Sequence, residues 1–499
     1  MHLLIRADAS RQQGIGHVMR CLALAQVCLD EGGQVTYLTS LSTRPVADRL
    51  QMEGVQVRYL ADSIVPGSQE DAVYTVELSK VFKAAWMILD GYHFGETYQS
   101  WIKKNGLQLL AIDDYGHAQH YWADYIVNPN VYASETLYAH KESYTKLLLG
   151  CTYSLIRNEF YGYRNWLREI PTKGKKIFVT LGGADPNNVT LNVLKGLENI
   201  KDQEVEIIVV IGGSNPNYEQ LLDFTQKTDL NIVLKCNVSN MAELIVWADI
   251  AVTAGGSTCW DIAFLGLPNL IIVLADNQLE VAEKLDDLGA AINLGWYSSI
   301  SPRSITDAVD NLLMSSDLRQ TLSNTARQLV DGEGSRRIVR KLRNNYLRLR
   351  TANQADDKML WEWVNDPQVR VSAFSSKLIS WEEHVAWFTH KLQDPNCFIF
   401  IAMDGDDLPV GQVRFDVEAT NQAEIDIHLA PGRRGSGYGS RLLMEAVHLI
   451  FRETIIEVIN AYIKPDNIAS IKTFEKANFS MKERNASSYH YVLERRKVT

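Results

Sequence analysis

The stretch HLLIRADASRQQGIGHVMRCLALAQVCLD, residues 2–30, decides the fold. An aliphatic run at 2–6 ends in a polar loop containing Gly14 and Gly16, and an apolar-periodic stretch opens at His17. Strand, glycine loop and helix in that order make a βα unit, and such units build parallel sheets covered by helices. The rhythm continues outward, with strands expected at 34–39, 55–59, 86–90 and 107–112. It restarts near residue 173, with strands expected at 176–180, 206–211, 231–234, 250–253 and 269–274. The fold class is therefore α/β: two doubly wound, Rossmann-like halves over 1–165 and 166–345.

The run DGEGSRRIVRKLRNNYLRLR (331–350) reads as a charged closing helix leading into a linker, its basic residues a solvated face. Residues 351–499 follow a different logic. A Trp-rich helical segment precedes strand-like runs at 397–403, 410–417 and 423–429, then a glycine-rich turn, a helix and a strand at 456–463. This third domain is α+β.

A chain of 499 residues is long enough for about three domains, and 46% hydrophobic with 22% charged residues is ordinary globular composition, which excludes fibrous and disordered classes. Fifty Lys and Arg against 60 Asp and Glu leave a net charge of -10, which argues against nucleic-acid or anionic-membrane partners. The six cysteines, at 21, 28, 151, 236, 259 and 397, have neither zinc nor disulfide spacing, so a reducing, cytoplasmic setting is expected. The N-terminus reads as a strand rather than a signal peptide. The uncharged stretch 262–275 is too short for a membrane span and is broken by Gly266, Pro268 and Asn269.

Open α/β sheets place ligands beyond the carboxyl ends of their strands. There, Gly14 and Gly16 allow a close-approach loop, and His17 at a helix start is a candidate base, because a helix N-terminus disfavours the imidazolium. LDGYHF adds Asp90, Tyr92 and His93 to the rim, and IDDYGH adds Asp113, Asp114 and His117. In the second half, LGGADPNN (Gly182, Gly183, Asp185) and AGGSTCWD (Gly255, Gly256, Ser257, Thr258, Asp261) each follow a strand and open a helix, which suits a diphosphate. Neither is a Walker loop, and no GxGxxG follows the first strand, so NAD is poorly supported.

Taken together, IRADASRQQGIGHVMR, LDGYHF, IDDYGH, ADYIVNPN, VTLGGADPNN, ADIAVTAGGSTCWDIAFLGLP and DNQLEVAEKLDDLGAA resemble the GT-B superfamily of nucleotide-sugar enzymes. Within it, they look most like the UDP-sugar hydrolases of pseudaminic acid biosynthesis. The resemblance implies that His17 activates water against the anomeric carbon, releasing UDP with inversion. It further implies that Ser257 and Thr258 hold the diphosphate, Asp261 the ribose, the backbone near Val238 the uracil, and Asn277 with Gln278 the sugar. Asp261 stands where many relatives carry the longer Glu. No metal is implied.

In EIDIHLAPGRRGSGYGSRLLMEAV, Glu424, Asp426 and His428 alternate with apolar residues before a glycine turn and a helix. The run Arg434, Gly435, Ser436, Gly437, Tyr438, Gly439 fits [QR]xxGx[GA], the pyrophosphate signature of the GNAT acetyltransferases. KPDNIASIKTFEKANF is similar to their later motif. The resemblance places acetyl-CoA against Leu429, this loop, Asn467 and Ser470. The segment 360–388 looks like the GNAT branch acting on nucleotide sugars. Where many such enzymes carry a tyrosine acid, this chain has Phe474, so either Tyr489, Tyr491 or solvent supplies that proton, or the domain is impaired. The base is Glu424, Asp426 or His428, all on one strand face.

These resemblances imply a bifunctional enzyme. Its GNAT domain would acetylate the 4-amino group of UDP-4-amino-4,6-dideoxy-N-acetyl-altrosamine, and its GT-B unit would hydrolyse UDP-2,4-diacetamido-2,4,6-trideoxy-altropyranose. The alternatives are another UDP-diamino sugar of the legionaminic or bacillosamine type, a GT-B glycosyltransferase, and a catalytically weak binding scaffold. The sequence fixes no oligomeric state.

Overall fold

The computed structural model describes residues 1–9, 14–40, 44–183, 185–201, 204–213, 215–343, 347–419 and 421–497. Part of the first glycine loop, Ser10 to Gln13, and Ala184 of the LGGADPNN turn lie outside the described residues. The chain divides into two units, Met1–Val339 and Arg340–Thr499.

The first unit contains two wholly parallel sheets. One holds β1 (His2–Ala7), β2 (Gln34–Thr39), β3 (Gln56–Tyr59), β4 (Trp86–Asp90), β5 (Leu109–Ile112), β6 (Tyr125–Asn128) and β7 (Lys146–Leu149), in the order β3-β2-β1-β4-β5-β6-β7. The other holds β8 (Lys176–Thr180), β9 (Glu206–Ile211), β10 (Asn231–Cys236), β11 (Ile250–Ala254), β12 (Asn269–Val273) and β13 (Ile292–Trp296), in the order β10-β9-β8-β11-β12-β13. In each, the order reverses between the first strand and the fourth, which is the doubly wound pattern with its crevice at the switch point. Central strands such as β4, β11 and β12 are buried along their whole length, which is why they read as unbroken aliphatic runs.

The second unit has one mixed sheet: β14 (Arg348–Thr351), β15 (Cys397–Met403), β16 (Pro409–Ala419), β17 (Gln422–Leu429), β18 (Val458–Ile463), β19 (Ser480–Arg484) and β20 (Tyr489–Glu494), in the order β14-β15-β16-β17-β18-β20-β19. β17 and β18 run parallel but pair only from Gln422↔Val458 to Glu424↔Asn460, and then part. One sheet face packs on the helices Tyr438–Glu453 and Ile468–Lys476 through Val413, Phe415, Leu443, Phe474 and Tyr491. The other is covered near β15 by the helices Asp357–Val364 and Trp381–Gln393 through Ile399, Ile401, Trp363 and Phe388.

The expected closing helix is shorter than the charge run. It spans Gly334–Leu342, and the LRLR end is strand β14. Alternation explains this: Leu349 packs into the core, while Arg350 on the opposite face pairs with Asp356 at 2.6 Å. Among the described residues, no helix is long and apolar enough to cross a membrane.

Candidate active sites

His17 lies in the first turn of the helix Gly16–Asp30, at the carboxyl end of β1. Its Nδ1–H donates to Oδ1 of Asp90, the last residue of β4, at 2.6 Å. One helical turn on, buried Arg20 donates from Nε to Asp90 Oδ2 at 2.6 Å and from Nη1 to Asp114 Oδ1 at 2.7 Å. The Tyr92 hydroxyl donates to Asp114 Oδ2 at 2.7 Å and accepts from Asn277 Nδ2 of the second half at 3.1 Å. The rings of His17 and Tyr92 meet edge to face, 5.1 Å between centroids. Burial alone would raise the Asp90 and Asp114 carboxyls, but Arg20 between them holds both below the usual carboxylate range. The Tyr92 phenol is pushed well up by its own burial and then by Asp114.

The glycine loop faces the second half. A Cβ on Gly16 would lie 3.6 Å from Ser257 Oγ, and one on Gly183 would lie 3.9 Å from Ile15 Cγ1. Gly14, at φ +72°, has open space where a side chain would stand. Ser257 precedes the helix Thr258–Leu265 and makes no capping bond with its side chain, which leaves its hydroxyl beside the helix N-terminus. Gly256 leaves that approach open, while a Cβ on Gly255 would meet the Gln278 carbonyl at 2.9 Å. His17, Tyr92, Asp114, Gly16, Asn277 and Ser257 therefore converge on one cleft.

Other expected residues have local roles here. Asp185 caps a helix, accepting from Val189 N at 2.9 Å and Thr190 N at 2.8 Å, just after the left-handed Gly182. Gln278 accepts from the backbone of Leu274 at 3.0 Å. Val238 follows β10 and is half-buried against the core. Asp261 is buried and accepts from Arg157 at 3.1 Å; its own burial, only partly offset by Arg157, pushes its carboxyl up to about 6. Asp113 accepts from three backbone N–H groups, the Tyr121 hydroxyl and His117 Nδ1, the pattern of a turn-forming aspartate. Sequence reasoning missed Arg20 and Arg157, although Arg20 stands three residues after His17 inside a motif already singled out.

In the second unit, Gly435 and Gly437 adopt left-handed φ of +76° and +81°, and Gly437 precedes the helix Tyr438–Glu453. A Cβ on Gly435 would meet nothing within 4 Å, and one on Gly439 would lie 3.5 Å from Thr473 of the neighbouring helix. Ser436 is exposed and Tyr438 half-buried beside this turn. The result is an open backbone cradle at a helix N-terminus, beside the parting of β17 and β18. That fits a pyrophosphate with an extended arm, as acetyl-CoA requires. Arg434 turns away to pair with Asp366 at 2.7 Å and to donate to Gln368 Oε1 at 2.5 Å, and it reaches Leu429 O only at 3.5 Å. Asn467 caps the helix Ile468–Lys476 by accepting from Ser470 N at 3.1 Å.

Glu424, Asp426 and His428 do share a face. It is the one that carries Arg414 on β16 and Asn460 on β18, with His490 on β20 donating to Asn460 Oδ1 at 3.0 Å. Glu424 occupies the last paired position before β17 and β18 part; burial, and then Glu418, raise its carboxyl. Asp426 is held down to about 2: burial would raise it, but His428 and Arg414 outweigh that. Phe474 is core, edge to face with Phe479 at 5.0 Å, and Tyr491 donates to Glu475 at 3.0 Å.

Residues 346–480 match the family described as the Acetyltransferase (GNAT) domain, and residues 176–338 match the Glycosyltransferase family 28 C-terminal domain. Along 96% of its length, the chain is 26% identical to an uncharacterized protein of Methanocaldococcus jannaschii, of which it covers 96%. It is 24% identical to the spore coat polysaccharide biosynthesis protein SpsG of Bacillus subtilis, over 69% of this chain and 99% of that one. It is 29% identical to the UDP-2,4-diacetamido-2,4,6-trideoxy-beta-L-altropyranose hydrolase of Campylobacter jejuni, over 49% of this chain and 81% of that one. A GT-B-like unit followed by a GNAT acetyltransferase domain, the order expected from the motifs, is what the chain contains.

Proposed function

We propose that the chain is a fused nucleotide-sugar enzyme whose GNAT domain acetylates the 4-amino group of UDP-4-amino-4,6-dideoxy-N-acetyl-altrosamine. Its first unit then hydrolyses UDP-2,4-diacetamido-2,4,6-trideoxy-altropyranose to free sugar and UDP. The observation that carries the reading is the His17–Asp90 pair, 2.6 Å apart, on a glycine loop facing Ser257. The likeness to the Campylobacter jejuni hydrolase supports the sugar series.

With its Nδ1–H hydrogen-bonded to the Asp90 carboxylate, His17 keeps the Nε2 lone pair for a proton from water. The water oxygen bonds the anomeric carbon as the bond from that carbon to the phosphate oxygen breaks. UDP leaves with the electron pair, and His17 passes its proton to solvent. Charge developing on the diphosphate is met by Ser257, Thr258 and the helix N-terminus they open.

In the second unit, acetyl-CoA supplies an acyl thioester open to attack by an amine. The backbone around Gly435, Gly437 and Gly439 holds the pyrophosphate. Glu424 takes the proton that the amine must shed, and its raised proton affinity suits a base. Phe474 has no proton to give and Tyr491 donates its own to Glu475, which leaves Tyr489 or solvent to protonate the sulfur.

The test is incubation of the purified chain with UDP-4-amino-4,6-dideoxy-N-acetyl-altrosamine, with and without acetyl-CoA, following CoA thiol and UDP. CoA release followed by UDP release that vanishes in His17→Ala supports the reading. Absence of both overturns it.

A further inference from the structure

The nucleotide side of the first unit holds a buried cation that the hydrolysis just described does not use. Arg157 is 8% exposed and lies over the Phe160 ring at 5.3 Å. Its Nη2 donates to Asp261 Oδ2 at 3.1 Å and to Glu159 Oε1 at 3.2 Å, while its Nε is enclosed and has no partner. Glu159 pairs with Arg49 and accepts from the backbone N–H of Met241 at 3.3 Å, three residues beyond Val238. The arginine thus stands between the carboxylate proposed for the ribose and the segment proposed for the base.

Both ion pairs of Arg157 fall on Nη2, so the two carboxylates do not saturate its fork of donors. Asp261 supplies its carboxylate on a side chain of a single methylene, one shorter than a glutamate's. Alone it reaches less far, and in this structure it is already engaged by Arg157. The planar fork of arginine can donate to one oxygen while its partner carboxylate accepts from the next.

We infer that Arg157 and Asp261 act as one clamp on the vicinal diol of a nucleoside diphosphate, the carboxylate accepting from one ribose hydroxyl and the guanidinium donating to the other. The clamp rests on the reading of UDP as leaving group. It makes Arg157 a specificity-determining residue for the nucleotide and supplies the reach that the shorter acid lacks.

Calorimetry on the full-length protein with UDP, 2′-deoxy-UDP and 3′-deoxy-UDP tests this. The wild type is expected to bind UDP at least about tenfold more tightly than either deoxy analogue, since a site built to bond a hydroxyl rejects the ligand lacking it. In Arg157→Gln the ratio for the analogue lacking the hydroxyl that the guanidinium meets collapses toward one while the other ratio persists, and in Arg157→Lys, which keeps the charge but not the fork, it falls part of the way. The ratio is insensitive to how much protein folds, so a loss of stability alone leaves it untouched. Wild-type ratios retained for both analogues in both variants overturn the clamp while leaving the hydrolase reading standing, as does a wild type that binds UDP without discriminating. A wild type that binds no UDP overturns both.

Discussion

At the scale of single residues, the first site is governed by the buried Asp90–Arg20–Asp114 charges against which His17 is held. Asp90 fixes the imidazole through Nδ1, and Arg20 keeps Asp90 ionised in a fully buried position. His17→Ala is expected to lower the rate of UDP release by about 10² to 10⁴, the usual worth of a positioned base, with UDP affinity nearly unchanged. Single-turnover UDP release alongside calorimetry checks this. Asp90→Asn keeps the shape but leaves Arg20 short of one charge, so a stability loss on the order of 3 kcal/mol is expected in denaturant unfolding. The pH dependence has a definite sign. Because the Asp90 carboxyl lies below its ordinary value in the folded chain, its stabilisation is fully present above about pH 4 and is lost as pH falls through the folded value. Asp261 goes the other way, raised by burial to about 6 among Arg157, Glu159 and Arg49. UDP affinity should therefore weaken as pH falls through about 6, because the neutral acid accepts ribose hydroxyls poorly; calorimetry between pH 5 and 8 reads this. His17, Asp90, Tyr92 and Asp114 were legible because each ends a strand, follows one within two residues, or opens a helix. Arg20 and Arg157 were not, because a buried arginine is recognised by its buried carboxylate partners, and Asp90, Asp114 and Asp261 lie 70, 94 and 104 positions away.

At the scale of elements, what could be read depended on burial. Fully buried parallel strands announce themselves as aliphatic runs, and β2, β4, β8 and β9 stand where that pattern put them. The edge and near-edge strands β6, β7 and β13 are short or only half-buried, so they escaped it. β14 was hidden inside a charge run, where arginine alternating with leucine has the period of a strand but the composition of a helix. The glycine turn of the second unit was legible because it requires left-handed backbone, and the same requirement yields a prediction. Gly437→Val forces a β-branched side chain into φ +81°, at a cost of about 1 to 2 kcal/mol, and crowds the N–H groups of the following helix turn. The KM for acetyl-CoA should rise about five- to thirtyfold while UDP release from the diacetamido substrate is unchanged. Steady-state CoA release and UDP release, measured on the same preparation, separate the two. Equal losses in both would show that the turn supports the whole chain rather than the cofactor.

At the scale of the whole molecule, the proposed order of steps makes the product of one unit the substrate of the other, and a shared chain raises the concentration at which the second unit meets it. On the proposed reading, His17→Ala is expected to retain acetylation and lose hydrolysis, and Gly437→Val to impair acetylation and retain hydrolysis. Mixed in equal amounts and given the 4-amino substrate with acetyl-CoA held well below the raised KM of Gly437→Val, the two variants should convert it to free sugar, because His17→Ala then supplies most of the acetylation and Gly437→Val the hydrolysis. Their intermediate must cross the solution, so the mixture should show a lag in UDP release that shortens as total protein is raised. If the intact chain passes the acetylated sugar within one molecule, its own lag is independent of concentration. Stopped assays for CoA thiol and UDP over a tenfold range of protein distinguish these cases. A lag in the intact chain that shortens just as it does in the mixture would mean that fusion couples the two activities in expression alone, and that each unit draws its substrate from bulk solution.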